Sequence, residues 1–306
     1  MILVWVGFMV EKEIVNRYYL LPRWLIFSVK MIDIISTRIT LRVLEYFFYK
    51  PIKFNVPQRE KEYITKSDIS TLSMSRPEAD IEIYRMEAEG ERVLLVHGWN
   101  GRAGQFHAIA QSCHDAGLDV TAFDLPGHGK SDDRHTALPE FLDAISEVYA
   151  HHGPFDYVIG HSIGAIAVLN GPRFGLKFKK IVTISIPATK VRSLFQSFTE
   201  MFGLSVEKYT DLLIDRASQK YNADPNSFDP CIVSKDLNSE VLIIHCQDDE
   251  DADVSKSIEF NTMVEGSELY IASGLGHRRI LRDEEVVSRV VAVSYTHLTL
   301  PTRRGV

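Results

Sequence analysis

Five residues in this chain have the types and spacing that acyl transfer requires: Ser162, His277, Asp249, Trp99 and Ile163. Ser162 lies in Gly160-His161-Ser162-Ile163-Gly164, which follows the apolar run DYVI and opens the run IGAIAVL. A hydroxyl held out of a sheet on a tight strand-to-helix turn can reach an acyl carbonyl. Small residues two before and two after it let that turn close without clashes. The helix that follows adds its positive N-terminus and the N–H of Ile163, both aimed at the oxyanion of the transition state. The five-residue pattern recurs by chance in unrelated chains, so its weight comes from its place between a strand and a helix.

Gly274-Leu275-Gly276-His277 follows the run ELYIAS. A loop histidine there can be lowered onto the serine, and its imidazole can take and return a proton near neutral pH. The acid that would orient it is expected just past the end of VLIIHC, where QDDEDADV offers five carboxylates. Asp249 is the first choice and Asp248 its alternative, with Asp251 and Asp253 behind them; the surplus charges read as a solvated turn. The order serine, acid, histidine along the chain is the one a nucleophile on such a turn calls for. His97-Gly98-Trp99-Asn100-Gly101 ends the run RVLLV, and the glycine there lets the backbone turn so that the Trp99 N–H meets that of Ile163 at the oxyanion. His97 reads as a hydrogen-bonding group at a strand end. The segment FDLPGHGKS, 123 to 131, reads as a tight turn bordering the site, with His128 structural.

These groups need a scaffold, and from about residue 80 the chain supplies one by alternating short β-branched runs with helical stretches. Strands are expected at 81–86, 92–98, 119–125, 156–161, 180–186, 241–246 and 268–273, and helices in GQFHAIAQSCHDAG, LPEFLDAISEVYAHHG and SIGAIAVLNG. That alternation predicts an α/β fold: a mainly parallel central sheet with helices on both faces. From about 188 to 240 no strand is expected. VRSLFQSFTEMFGL and VEKYTDLLIDRASQKY there read as helices, and an excursion of that length reads as a small helical cap over the site. The domain reading is therefore a helical extension at 1–50, a catalytic domain at 51–292 with the cap inserted, and a tail at 293–306. That tail, VSYTHLTLPTRRGV, breaks the preceding amphipathic pattern, and VSYTHLTLPT resembles the translation of a transposon adapter used in sequencing libraries. It reads as non-native sequence on a metagenomic gene.

The composition, 45% hydrophobic and 25% charged, is that of a globular protein, and a net charge of -7 gives no reason to expect nucleic acid as a partner. Cys113, Cys231 and Cys246 are odd in number and widely spaced, which suggests neither a disulfide framework nor a zinc site, and fits a reducing, cytoplasmic setting. MILVWVGFMV is too short to span a bilayer core of ~30 Å, and YYLLPRWLIFSVKMIDII is interrupted by Pro22, Arg23, Lys30 and Asp33. The first reading of this segment is a helix packed on the catalytic domain. The second is an amphipathic helix in peripheral contact with a membrane surface, with Trp24 and Phe27 on its apolar face.

The set VLLVHGW, DVTAFDLPGHGKS, YVIGHSIGAIAV, VLIIHCQDDED and GLGHRRILRDEEVVSRVV resembles the α/β-hydrolase superfamily, in particular bacterial serine hydrolases with a short helical cap. The resemblance runs from about Lys50 to about Val291. It implies the roles already given to Ser162, Asp249 and His277 and to the oxyanion donors Trp99 and Ile163, and it favours Asp249 as the third residue past Cys246. It implies hydrolysis of a carboxylic ester through an acyl-enzyme, with a small acyl ester as partner and no metal or organic cofactor. A thioesterase or acyltransferase would use the same triad, and a non-catalytic binding protein would share the fold. Two departures stand out: Cys246 replaces a glycine or aspartate, and DEDADV replaces a Val-Pro ending of the acid loop.

Overall fold

The apolar runs become the middle of a sheet, because a strand of Val, Leu and Ile is stable only when both of its faces are covered. In the computed structural model, which describes residues 21–75, 78–132 and 134–293, these runs are β3 (Arg92–Val96), β4 (Asp119–Phe123), β5 (Tyr157–His161), β6 (Lys180–Ile184), β7 (Glu240–Cys246) and β8 (Glu268–Ala272). Every residue of β4, β5 and β6 is buried. They pair in parallel in the spatial order β4-β3-β5-β6-β7-β8. At the β4 edge β2 (Glu78–Met86) and β1 (Asp68–Ser75) continue the sheet in antiparallel register. The expected strand at 81–86 thus starts earlier, at Glu78. β1 was not expected: DISTLSMS is polar and mostly exposed, so it lacks the apolar pattern by which its neighbours are recognised.

Alternation along β3 divides the core in two. Leu94 and Val96 join one cluster, with Phe141 of α5 (Leu138–His152) and Ile166 of α6 (Ile163–Asn170). Val93 and Leu95 join the other, with Ile109 of α4 (His107–Asp115) and Val286 and Val290 of α12 (Glu284–Ala292). The α5 helix starts where the Glu140 carboxylate turns back to accept the Ala137 N–H, 3.0 Å. Asp283 begins α12 by accepting the Val286 N–H, 3.1 Å.

No strand interrupts the chain between β6 and β7; α7 (Arg192–Met201) and α8 (Val206–Tyr221) occupy that stretch, followed by the one-turn α9 (Pro230–Val233). Two N-terminal helices, α1 (Arg23–Ile35) and α2 (Thr37–Tyr49), pack on this pair. Phe48 stacks on Phe195, with ring centroids 4.6 Å apart, and meets Phe198 edge-on at 5.0 Å. Arg216 forks onto Glu45, 3.0 and 3.2 Å, and Tyr209 donates to Asp33. Val293, the first residue of the expected tail, has its carbonyl bonded by Lys180 Nζ at 2.8 Å. The rest of that tail, like residues 1–20 of the N-terminal extension, lies outside the described residues.

The third helix, α3 (Gln58–Lys66), is tied in by charge. Arg102, one residue past the Trp99 turn, is buried and forks onto the buried Glu60 at 2.5 and 3.1 Å. Removing one partner of such a pair strands the other charge in a medium that cannot hydrate it. Glu60→Ala is therefore expected to lower unfolding free energy by ~3 to 5 kcal/mol, read by urea denaturation. A loss under ~1 kcal/mol, the range of an exposed pair, would mean that Arg102 regains water.

Candidate active site

Ser162 stands at the C-terminal end of β5 with φ 55° and ψ -127°, a backbone conformation that side chains rarely adopt. Two glycines make that turn physically possible. A Cβ on Gly160 would come within 2.7 Å of the Gly164 carbonyl oxygen, and one on Gly164 within 2.4 Å of the His97 carbonyl oxygen. The Ser162 N–H is held by the Ile184 carbonyl at 2.9 Å. The next residue, Ile163, is the first of α6, so its N–H has no carbonyl to reach within the helix.

The turn 98–101 lies against this elbow. A Cβ on Gly98 would sit 2.7 Å from that of Ser162 and 3.4 Å from its hydroxyl. The turn closes through the Gly101 N–H on the Gly98 carbonyl, 3.0 Å, with Asn100 left-handed at φ 57°. Asn100 Oδ1 accepts the Ile52 N–H at 2.7 Å. Among the described residues the N–H groups of Trp99 and Ile163 have no hydrogen-bond partner. The Trp99 ring packs edge-on to His128 at 5.3 Å and nearly parallel to Phe141 at 6.1 Å.

His97 and His128 have the structural places expected of them. The Leu125 N–H donates to His97 Nε2, 3.0 Å, which puts the proton on Nδ1 to donate to the Gly98 carbonyl, 2.7 Å. His128 Nδ1 bonds the Pro126 carbonyl at 3.0 Å. The hub of this segment is a residue that nothing in the sequence singled out. The buried Asp124 carboxylate accepts the Ala103 N–H at 2.7 Å, the Lys130 N–H at 2.7 Å and the Tyr84 hydroxyl at 3.1 Å. It thereby joins the loops after β3 and β4.

Next to His161, the residue before Ser162, His277 Nδ1 donates to Asp249 Oδ2 at 2.8 Å. Asp249 lies in the loop between β7 and α10 (Val254–Met263), and His277 opens out of α11 (Gly276–Arg279) after β8. Asp249 Oδ1 takes the N–H groups of Asp251 and Ala252, each at 2.9 Å, and His245 Nε2 lies 3.5 Å from Oδ2. Burial alone would raise the Asp249 pKa, but the hydrogen bonds from His245 and His277 outweigh it and hold the carboxyl well below the usual carboxylate range. No hydrogen bond joins Ser162 Oγ to His277 among the described residues; such pairs are often long before substrate binds.

Of the remaining carboxylates, Asp248, Glu250 and Asp253 are exposed on a turn, as expected, and two of them also hold backbone. Asp248 Oδ2 accepts the Gly274 N–H at 2.6 Å, and Asp253 caps α10 through the Ser255 N–H at 2.8 Å. The Asp251 carboxyl is partly buried and its pKa is raised, by burial first and then by the charge of Asp249. Cys246, one of the two departures noted above, has a task as well. Its buried sulfur accepts the N–H groups of Leu275 and Gly276 at 3.3 and 3.1 Å. His161 completes the clamp by donating from Nε2 to the His277 carbonyl, 2.9 Å, with the two rings 4.6 Å apart.

A family model described as the alpha/beta hydrolase family matches residues 93–289. A Drosophila melanogaster protein named "Probable serine hydrolase" is 27% identical over 161 residues, 50% of this chain and 45% of that one. A monoacylglycerol lipase of Mycolicibacterium smegmatis is 32% identical over 105 residues, 31% of this chain and 37% of that one. The chain thus spans less than half the length of these curated relatives. The structure of an esterase from Exiguobacterium antarcticum superposes with a TM-score of 0.57, with 18% identity over 74% of this chain and 98% of that one.

Two expectations arise from this geometry. Cys246→Ala leaves the Leu275 and Gly276 N–H groups without the sulfur and should lower kcat more than tenfold with KM little changed, while Cys246→Ser, whose hydroxyl can accept, should recover part of the loss. Likewise Asp248→Ala should impair turnover where Asp248→Asn, which keeps an acceptor for Gly274, should not. The second expectation concerns acid. His97, His128 and His161 are fully buried, and burial lowers the pKa of each below the ordinary value. Below about pH 6.5 the unfolded chain binds protons that the folded one refuses, so stability falls as pH falls, by up to ~1.4 kcal/mol per pH unit for each histidine. Urea denaturation at pH 7.5 and 5.5 should show that loss; equal stability at the two would contradict neutral buried imidazoles.

Proposed function

The chain belongs to the alpha/beta hydrolase family, and on that premise we propose that it hydrolyses carboxylic esters through an acyl-enzyme formed on Ser162. The observation that carries this reading is the His277 Nδ1 to Asp249 Oδ2 hydrogen bond, 2.8 Å, beside a serine held at positive φ. With Nδ1–H committed to Asp249, Nε2 of His277 is left as the basic nitrogen. It takes the Ser162 proton as the hydroxyl oxygen attacks the acyl carbonyl, then delivers that proton to the departing alcohol. Water repeats the sequence in the second half: His277 takes its proton, the hydroxide attacks the acyl carbon, and the Ser162 oxygen leaves and is reprotonated. Asp249 stays ionised throughout and stabilises the imidazolium. The N–H groups of Trp99 and Ile163 receive the negative charge on the carbonyl oxygen, and their lack of other partners supports that role. The helices α7 and α8 act in this reading as the cap that shapes the acyl pocket.

Ser162→Ala should abolish both turnover of p-nitrophenyl esters and labelling by a fluorophosphonate probe without unfolding the protein. Labelling that persists in the variant would remove Ser162 from the role of nucleophile. Asp249→Asn keeps the size of the side chain and loses its charge, so kcat should fall by a factor on the order of 10² to 10⁴. Little change in KM is expected alongside it.

A further inference from the structure

The two N-terminal helices have one face that is fully accounted for and one that is not. Inward, Val29, Thr40, Leu44 and Tyr49 are buried, and the only two acidic residues of the pair, Asp33 and Glu45, are engaged by α8. Outward, Trp24, Phe27, Met31 and Ile34 follow one another at three- and four-residue spacing along α1 and are 69%, 65%, 43% and 77% exposed. Ile39 and Tyr46 continue the exposed apolar character along α2. Arg23, Arg38 and Arg42 stand exposed among them, Lys30 flanks them with its ammonium against Gly203, and none of the four forms an ion pair among the described residues.

We propose that this outer face docks on an anionic lipid surface, with α1 lying in the plane of the interface. A stripe of Trp, Phe, Met and Ile flanked by arginine and lysine is the composition that inserts at the boundary between headgroups and acyl chains. The three arginines have no carboxylate within the helix pair left to meet them, so anionic headgroups supply the missing charge. A second copy of the chain is the poorer occupant, because a symmetric contact would bring the same unpaired cations face to face. The whole chain carries a net charge of -7, so an anionic surface repels the rest of the molecule and selects this face. At 13 residues α1 is far short of the ~20 that span a bilayer, and among the described residues no helix is long and apolar enough to cross one. The docking is thus peripheral. It rests on α1 and α2 alone and stands whether or not Ser162 is the nucleophile.

The full chain should co-sediment with vesicles of equimolar phosphatidylglycerol and phosphatidylcholine, and much less with phosphatidylcholine alone. Raising salt from roughly 0.1 to 0.5 M should weaken the binding, since the Debye length falls below the reach of these side chains. Trp24→Ser/Phe27→Ser/Met31→Ser should leave the protein in the supernatant, and Arg38→Glu/Arg42→Glu should lower partitioning on the order of tenfold or more. Unchanged melting temperatures would show that these variants fold. Absence of the parent from both vesicle pellets overturns the proposal. So does parent-like binding by the triple variant, which would assign the contact to another segment, residues 1–20 foremost. A parent dimer by light scattering that the triple variant reduces to a monomer, with no vesicle binding by either, would assign the face to a second copy and overturn it as well.

Discussion

The close approach of the β5–α6 elbow to the end of β3 is the constraint on which the site depends. Ser162 can hold φ 55° only because the chain on both sides of it gives way, and it does so by having no side chain at Gly160 and Gly164. An alanine at 164 would place its Cβ against the His97 carbonyl oxygen, which is backbone and cannot swing aside. The strain at Ser162 is opposed by the parallel ladder that fixes β5 between β3 and β6 and by the Ile184 carbonyl on the Ser162 N–H. A backbone turned so tightly leaves the hydroxyl at the sheet's C-terminal end and the Ile163 N–H free of the helix ladder. The same close contact brings Gly98 onto Ser162, so the geometry of the Ser162 elbow and that of the turn carrying the Trp99 N–H are set together.

The histidine loop, which reaches back to His161, is held at four points, by two carboxylates, a sulfur and an imidazole. Asp248 takes the Gly274 N–H, the Cys246 sulfur takes those of Leu275 and Gly276, His161 donates to the His277 carbonyl, and Asp249 holds the ring. Three of these four contacts grip backbone and leave the imidazole free to choose its orientation by the fourth alone. Gly274 and Gly276 at φ 75° and 64° let the loop fold back onto those acceptors. Asp249 is singled out among five neighbouring carboxylates because its second oxygen is satisfied by two backbone N–H groups, which fixes the carboxylate plane. Asp248 and Asp253 each give one oxygen to loop or helix backbone instead.

Much of this was legible in the sequence, for a physical reason. The central strands are buried on both faces, so their apolar runs are continuous and mark both the sheet and the points where it ends. Ser162, His277 and the Trp99 turn each sit directly after such a run, and the glycines around them announce tight backbone. What escaped notice was the set of contacts made by polar groups to distant backbone. Nothing local to Asp124 says that it will join the N–H groups of Ala103 and Lys130, and nothing local to Cys246 says that its sulfur will face the Gly276 N–H. The strand β1 was missed because an exposed edge needs no apolar pattern. The acidic loop is the solvated turn its charge density suggests at Asp248, Glu250 and Asp253, but nothing local says which backbone N–H groups Asp248 and Asp253 also accept.

The N-terminal helices show the same logic at larger scale. Taken alone, α1 and α2 are 13 residues each, marginal as free helices in water. Their stability comes from the insertion between β6 and β7: Phe48 lies between Phe195 and Phe198, and Glu45 and Asp33 bind α8 through Arg216, Lys208 and Tyr209. Helices fixed in this way need not bury their outer face to remain folded. Among the described residues the apolar residues of that face stay exposed, and their regular spacing is what the proposed external contact would account for. Because α8 holds the inner side of this hairpin, whatever the outer face touches is mechanically joined to the insertion between β6 and β7.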